Sequence, residues 1–203
     1  MRFRPTPPAV LLAWLAWAPP LGAAEDVPTE ASPELRAAQQ AADAAYEAGR
    51  YLQAYEIYLG DLAPAGDKYA QYMIGIMHAH GLGVQQDPAL GAAWLALAAE
   101  RGDERLEAAS DEALAGLPEE QRPRRDTLLT ELRASYGDCA LVGRLLAGDR
   151  RRVTASTGSR VKSNVNAPLT IIHMQDEDDR SIDQQSLRER IRKRERFLRE
   201  RCS

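Results

Sequence analysis

The chain has 203 residues, 44% of them hydrophobic and 28% charged, with 30 acidic against 26 basic side chains and a net charge of −4. That length has room for one domain with a real core plus tails. The mild negative balance gives no reason to expect nucleic acid as a partner, and no apolar stretch is long enough to span a bilayer.

The N-terminus reads as a leader. Arg2 and Arg4 precede an apolar run at residues 9–18 (AVLLAWLAWA), which Pro19 and Pro20 stop. Leu21-Gly22-Ala23-Ala24 then offers small residues where a signal peptidase reads. Residues 1–24 are therefore expected to be a secretory signal peptide cut after Ala24, with an uncleaved membrane anchor as the alternative. The mature chain is expected to be periplasmic or secreted. Cys139 and Cys202 then lie in an oxidising compartment. They allow one disulfide, closing a long loop for a stabilisation of roughly 4 kcal/mol, or two unpaired thiols. Pairing requires the two Cα atoms within about 7 Å.

Residues 25–32 are polar and expected to be disordered. Ser32-Pro33-Glu34 reads as N-cap, proline at the first helical position and an early acid. The first helix is expected to run to about Ala48, with an alanine-rich face that lets another helix approach closely. Gly49-Arg50 is a turn, and a second helix is expected over residues 51–62, with Leu52, Tyr55 and Leu59 at helical spacing. A third follows over 68–79 and ends at Gly81-Leu82-Gly83. Asp87-Pro88 starts a fourth, running to about Arg101.

An internal repeat is visible at an offset of 36 residues: Gly66-Asp67 falls on Gly102-Asp103, Ala63 on Ala99 and Tyr58 on Trp94. Tyr136-Gly137-Asp138 is a third echo. Further helices are expected over 104–115, 123–136 and 140–146. Beyond Arg150 the pattern dissolves. Residues 150–185 read as a mostly irregular linker in which 168–174 (PLTIIHM) could form one strand, and 186–203 as a basic helix.

Residues 70–102 resemble a Sel1-like repeat, a relative of the tetratricopeptide repeat. The match is carried by Ala70, Ile74, Gly75, Gly81, Gly83, Val84, Asp87, Trp94, Ala98, Ala99 and Gly102. The hairpin at 44–67 looks like a cousin form, with Gly49, Tyr51, Ala54 and Tyr58. The resemblance covers roughly residues 33–137 and fades after Gly102. Two positions depart from the pattern: His78 stands where the family usually has tyrosine, and Gly91 where it usually has alanine. The resemblance implies an all-α fold, a short α/α solenoid of hairpins over residues 33–149 that binds peptides or proteins on its concave face. Such a unit needs capping by residues 104–146, because a single hairpin cannot bury its own apolar side.

The repeat-defining residues have structural roles: Gly75, Gly81, Gly83 and Gly102 for turns and close approach, Asp87 as a cap, and Trp94, Ala98 and Ala99 in packing. No catalytic, cofactor or metal residue is assigned. His78 and His80 are two apart on one helix and cannot share an ion, so ordinary partly exposed histidines are expected. Thr157-Gly158-Ser159-Arg160 lacks the strand, second glycine and lysine of a phosphate loop.

Charge is sorted along the chain. Residues 25–118 hold 16 acids and 5 bases, residues 119–203 hold 14 acids and 19 bases. At 187–201 a stripe of Leu187, Ile191 and Leu198 is ringed by arginines, which suits packing on the chain's own body or a weak contact with an anionic surface. The function expected is an exported scaffold or adaptor for a protein or peptide partner. A cell-envelope hydrolase or enzyme subunit (β-lactam or peptidoglycan related), or an envelope tether through the basic tail, are the alternatives.

Overall fold

A computed structural model describes residues 32–157 and 177–202. The leader, its cut site, the polar start and the candidate strand at 168–174 lie outside the described residues. Every element among those described is helical.

Helix α1 (Pro33–Glu47) opens as its sequence dictates: the Ser32 side chain accepts from the Leu35 amide at 3.2 Å. Helix α2 (Tyr51–Ile57) does not reach Leu62 as a regular α-helix, as the spacing had predicted. It widens into a π-turn over Tyr58–Leu62 and closes with a 3-10 turn over Ala63–Ala65. Pro64 has no amide to continue the α-helical ladder, and a π-turn absorbs the mismatch. The widened turn carries Tyr58, Leu62 and Ala63 into the core.

Helix α3 (Lys68–His80) starts on Asp67, whose carboxylate accepts from the Ala70 amide at 2.9 Å. Helix α4 (Pro88–Ala98, extended by a 3-10 turn to Arg101) starts on Asp87 in the same way, accepting from Leu90 at 3.1 Å. Nearly all of α4 is buried, from Ala89 to Ala98 with the exception of Leu90. It is the central helix: α3 packs on one side, and both α5 (Glu104–Ala115) and α6 (Arg122–Tyr136) cover the others. This supplies the capping that a lone hairpin lacks. Leu128, Leu129 and Leu132 of α6 join the main core, and Tyr136 lays its ring 5.0 Å from that of Trp94.

The C-terminal region differs from expectation. Helix α7 (Asp138–Thr157) runs well beyond Leu146, and α8 (Glu177–Arg201) begins before residue 186. The linker expected over 150–185 is therefore helical at both ends. The cause is tertiary. Helices α7 and α8 lie antiparallel and share Leu141, Val142, Leu145, Phe197 and Leu198. Asp149 and Arg194, both buried, form an ion pair between them. Cys139 and Cys202 are joined by a disulfide with Cα atoms 5.8 Å apart, closing a separation of 63 residues.

Candidate interaction surface

The α3–α4 crossing is built on two glycines. A methyl group on Gly91 would stand 2.8 Å from the Ala79 nitrogen and 2.8 Å from the Gly75 oxygen. One on Gly75 would meet the Leu95 side chain at 2.8 Å and the Gly91 oxygen at 3.1 Å. Gly91, a departure from the usual alanine, is thus required by this crossing. The loop that follows α3 turns through Gly81 and Gly83, at φ 68° and 73°, where side chains are disfavoured. Gly83 also rests against the Tyr51–Leu52 backbone, so it joins the second hairpin to the first.

Trp94 and Ala98 are buried, Ala99 is half-buried, and Gly102 ends its turn at φ 77°. These residues hold the hairpin together. Asp87 does more than cap. Arg124 of α6 grips both its oxygens at 2.7 and 2.5 Å. That grip is the main reason its carboxyl titrates near pH 2.

A buried ionic node joins the repeats, and sequence reading did not assemble it. Lys68 Nζ donates to Glu100 Oε2 at 2.9 Å, Gln71 Oε1 at 3.2 Å and the Leu97 carbonyl at 3.3 Å, and lies 3.2 Å from Asp138 Oδ1. Arg101 donates to both oxygens of Asp138, at 3.0 and 2.8 Å, and to the Gly66 carbonyl at 3.0 Å. The Asp138 amide donates back to Glu100 at 3.1 Å. Two cations thus face two carboxylates. Burial pushes the Asp138 carboxyl up, but Arg101 and Lys68 outweigh it and hold it below its ordinary value.

The repeat at 36 residues was the available signal for this node. In the first two echoes the glycine ends a turn at positive φ and the aspartate caps the next helix. In the third, Gly137 is extended and Asp138 sits inside α7, its carboxylate turned to Arg101 and Lys68 instead.

His78 is buried, contrary to expectation, with Nε2 3.1 Å from the Tyr55 hydroxyl; His80 is exposed. Burial holds the His78 ring below its usual pKa, against smaller opposing effects from the Gln85 backbone and Asp87. It acts as a contact between hairpins, where the family's tyrosine would stand.

With the signature residues spent internally, one face remains open. Tyr46 of α1 and Tyr69, Tyr72 and Ile76 of α3 are half-buried. Asp43 borders them, accepting from the Tyr58 hydroxyl at 2.6 Å, and the charge of Glu112 on α5 acts on Tyr72. Burial pushes the Tyr46 and Tyr69 hydroxyls up to about 12, with smaller contributions from Tyr51 and Tyr72 on the first and from Asp43 on the second. The Tyr46 hydroxyl itself is buried, while part of each of these residues stays in solvent, and aromatic surface of this kind is enriched where proteins bind one another.

Paired helices with a central buried partner, glycine crossings and aspartate caps define an α/α repeat hairpin. Residues 68–103 match the family model of the Sel1 repeat, so the chain carries a Sel1 repeat there. Sel1 repeats generally mediate protein–protein interaction and are typically non-catalytic. No curated protein and no solved structure matches the chain. No described helix is long and apolar enough to cross a membrane.

Proposed function

We propose that the chain is an exported scaffold or adaptor that binds a protein or peptide along the face formed by α1 and α3. The observation that carries this reading is the division of labour in the Sel1 hairpin. Gly75, Gly91, Asp87, Trp94 and Ala98 are consumed by packing, while Tyr46, Tyr69, Tyr72 and Ile76 keep part of their surface in solvent. An extended or helical peptide laid on that face would meet rings flanked by Asp43 and Glu112, which favours a segment carrying basic side chains. Export is supported by the leader-like residues 1–24 and agrees with the Cys139–Cys202 pairing.

The test is affinity capture from cell-envelope extract, comparing the wild-type chain with a Tyr72→Ala, Ile76→Ala variant of unchanged melting temperature. A partner retained by the wild type and lost by the variant is the expected outcome. Equal capture by both would overturn the assignment of this face. N-terminal sequencing of the protein from cells should begin at Glu25; a retained Met1 would overturn the leader.

A further inference from the structure

We infer that the α7–α8 hairpin is a peripheral membrane contact whose exposed arginine row docks on anionic phospholipid headgroups. The hairpin sorts its charges. Both acids of α7 are buried and neutralised inside the protein, Asp138 by Lys68 and Arg101 and Asp149 by Arg194. Beside Asp149, α7 shows Arg150, Arg151 and Arg152 to solvent, the first of them paired with Glu195 of α8. On α8, Leu187 and Arg194 are buried, and Ile191 and Leu198 are half-buried on the same stripe. At 3.6 residues per turn, Arg188, Arg192 and Arg196 fall on one exposed flank, and Glu189, Lys193 and Glu200 on the other. Glu195 shares the arginine flank, where Arg150 of α7 pairs with it at 2.7 Å, so the exposed arginines of the row outnumber the acid among them.

The rest of the surface selects among anionic partners. The apolar stripe of α8 is engaged with α7, so the helix has no face left to insert between acyl chains; the contact is electrostatic. A protein partner would need a dehydrated apolar centre, which this row lacks, and isolated exposed ion pairs contribute little. Single-stranded nucleic acid would call for an exposed ring to stack bases, but Phe197, the aromatic residue of α8, packs toward α7, which leaves duplex phosphates as the competitor the test includes. A planar anionic leaflet needs neither, since each arginine near it gains from the surface potential. The disulfide at one end and the Asp149–Arg194 pair further along hold the row in place. Access to a membrane in the cell rests on the proposed export, whereas the headgroup chemistry does not.

Co-sedimentation of the purified protein with phosphatidylcholine vesicles, with and without phosphatidylglycerol, tests it. The protein should bind only the phosphatidylglycerol vesicles, and binding should fall steeply with added salt. The Arg188→Gln, Arg192→Gln, Arg196→Gln variant should bind roughly a hundredfold more weakly, with its disulfide and melting temperature intact. The matching lysine variant should retain binding, because the surface reads charge. Binding to neutral vesicles, unchanged binding by the glutamine variant, absence of binding to phosphatidylglycerol vesicles, or tighter binding to duplex DNA at the same salt would each overturn the proposal. N-terminal sequencing decides export separately, so the two readings can fail independently.

Discussion

A single methyl group decides whether α3 and α4 can cross at their present distance. At Gly91 it would press on the backbone of Ala79 and Gly75, and backbone cannot swing aside as a side-chain tip can. Gly91→Ala, which restores the residue usual for the repeat, is therefore expected to destabilise this chain by about 1–3 kcal/mol, read from the denaturant midpoint. An unchanged or raised midpoint would contradict the crossing described. Asp138 is the second decisive residue. Removing it leaves Lys68, itself buried, facing Glu100 alone, and leaves Arg101 with the Gly66 carbonyl. Asp138→Ala is expected to cost about 3–5 kcal/mol by the same measurement, since two cations in a mostly buried node are then left with one carboxylate.

At the scale of elements, the Sel1 hairpin was legible because its signals are local. Asp67 and Asp87 cap the helices they precede, and Gly81, Gly83 and Gly102 take the positive φ their positions suggested. What the sequence concealed depends on distant partners. Helix α7 carries Gly143 and Gly148, which weaken its local helix signal, and its buried face exists only because α8 lies against it. The ionic node pairs carboxylates and cations 32 to 70 positions apart, and only the echo at Tyr136-Gly137-Asp138 hinted at it. The open tyrosine face could not be told from core by spacing alone.

Two tests belong to this scale. Nothing lies within 4 Å of a methyl group placed on Gly143 or Gly148, so neither glycine is needed for packing. Gly143→Ala and Gly148→Ala should each stabilise α7 by up to about 1 kcal/mol, seen as a higher melting temperature. A lowered one would place a neighbour where none stands. The tie between the α3–α4 loop and α6 titrates. Asp87 is held near pH 2, below the ordinary carboxylate value, so its contribution is complete above about pH 4 and is lost as pH falls toward 2. Asp43 and Asp67, raised chiefly by burial, run in the opposite sense. Arg124→Ala should therefore flatten the loss of stability between pH 4 and 2 relative to wild type. An identical pH profile would mean that the bidentate contact does not form in solution.

For the whole molecule, the helices divide into two parts with different surfaces. The repeat body packs around α4 and leaves a tyrosine-lined face between acidic side chains. The α7–α8 hairpin, closed by its disulfide, presents arginines. Asp138 joins the two, because it belongs to α7 and is held by the second hairpin. Such a division suits a protein that holds a partner with one part and is itself held by the other. The most direct measurement of the central claim is site-specific photo-crosslinking in cells, with the crosslinker at Ile76 on the tyrosine face or at Glu56, exposed on α2. A discrete protein adduct at Ile76 and none at Glu56 is the expected result. Adducts at Glu56 with none at Ile76 would contradict the proposed binding face.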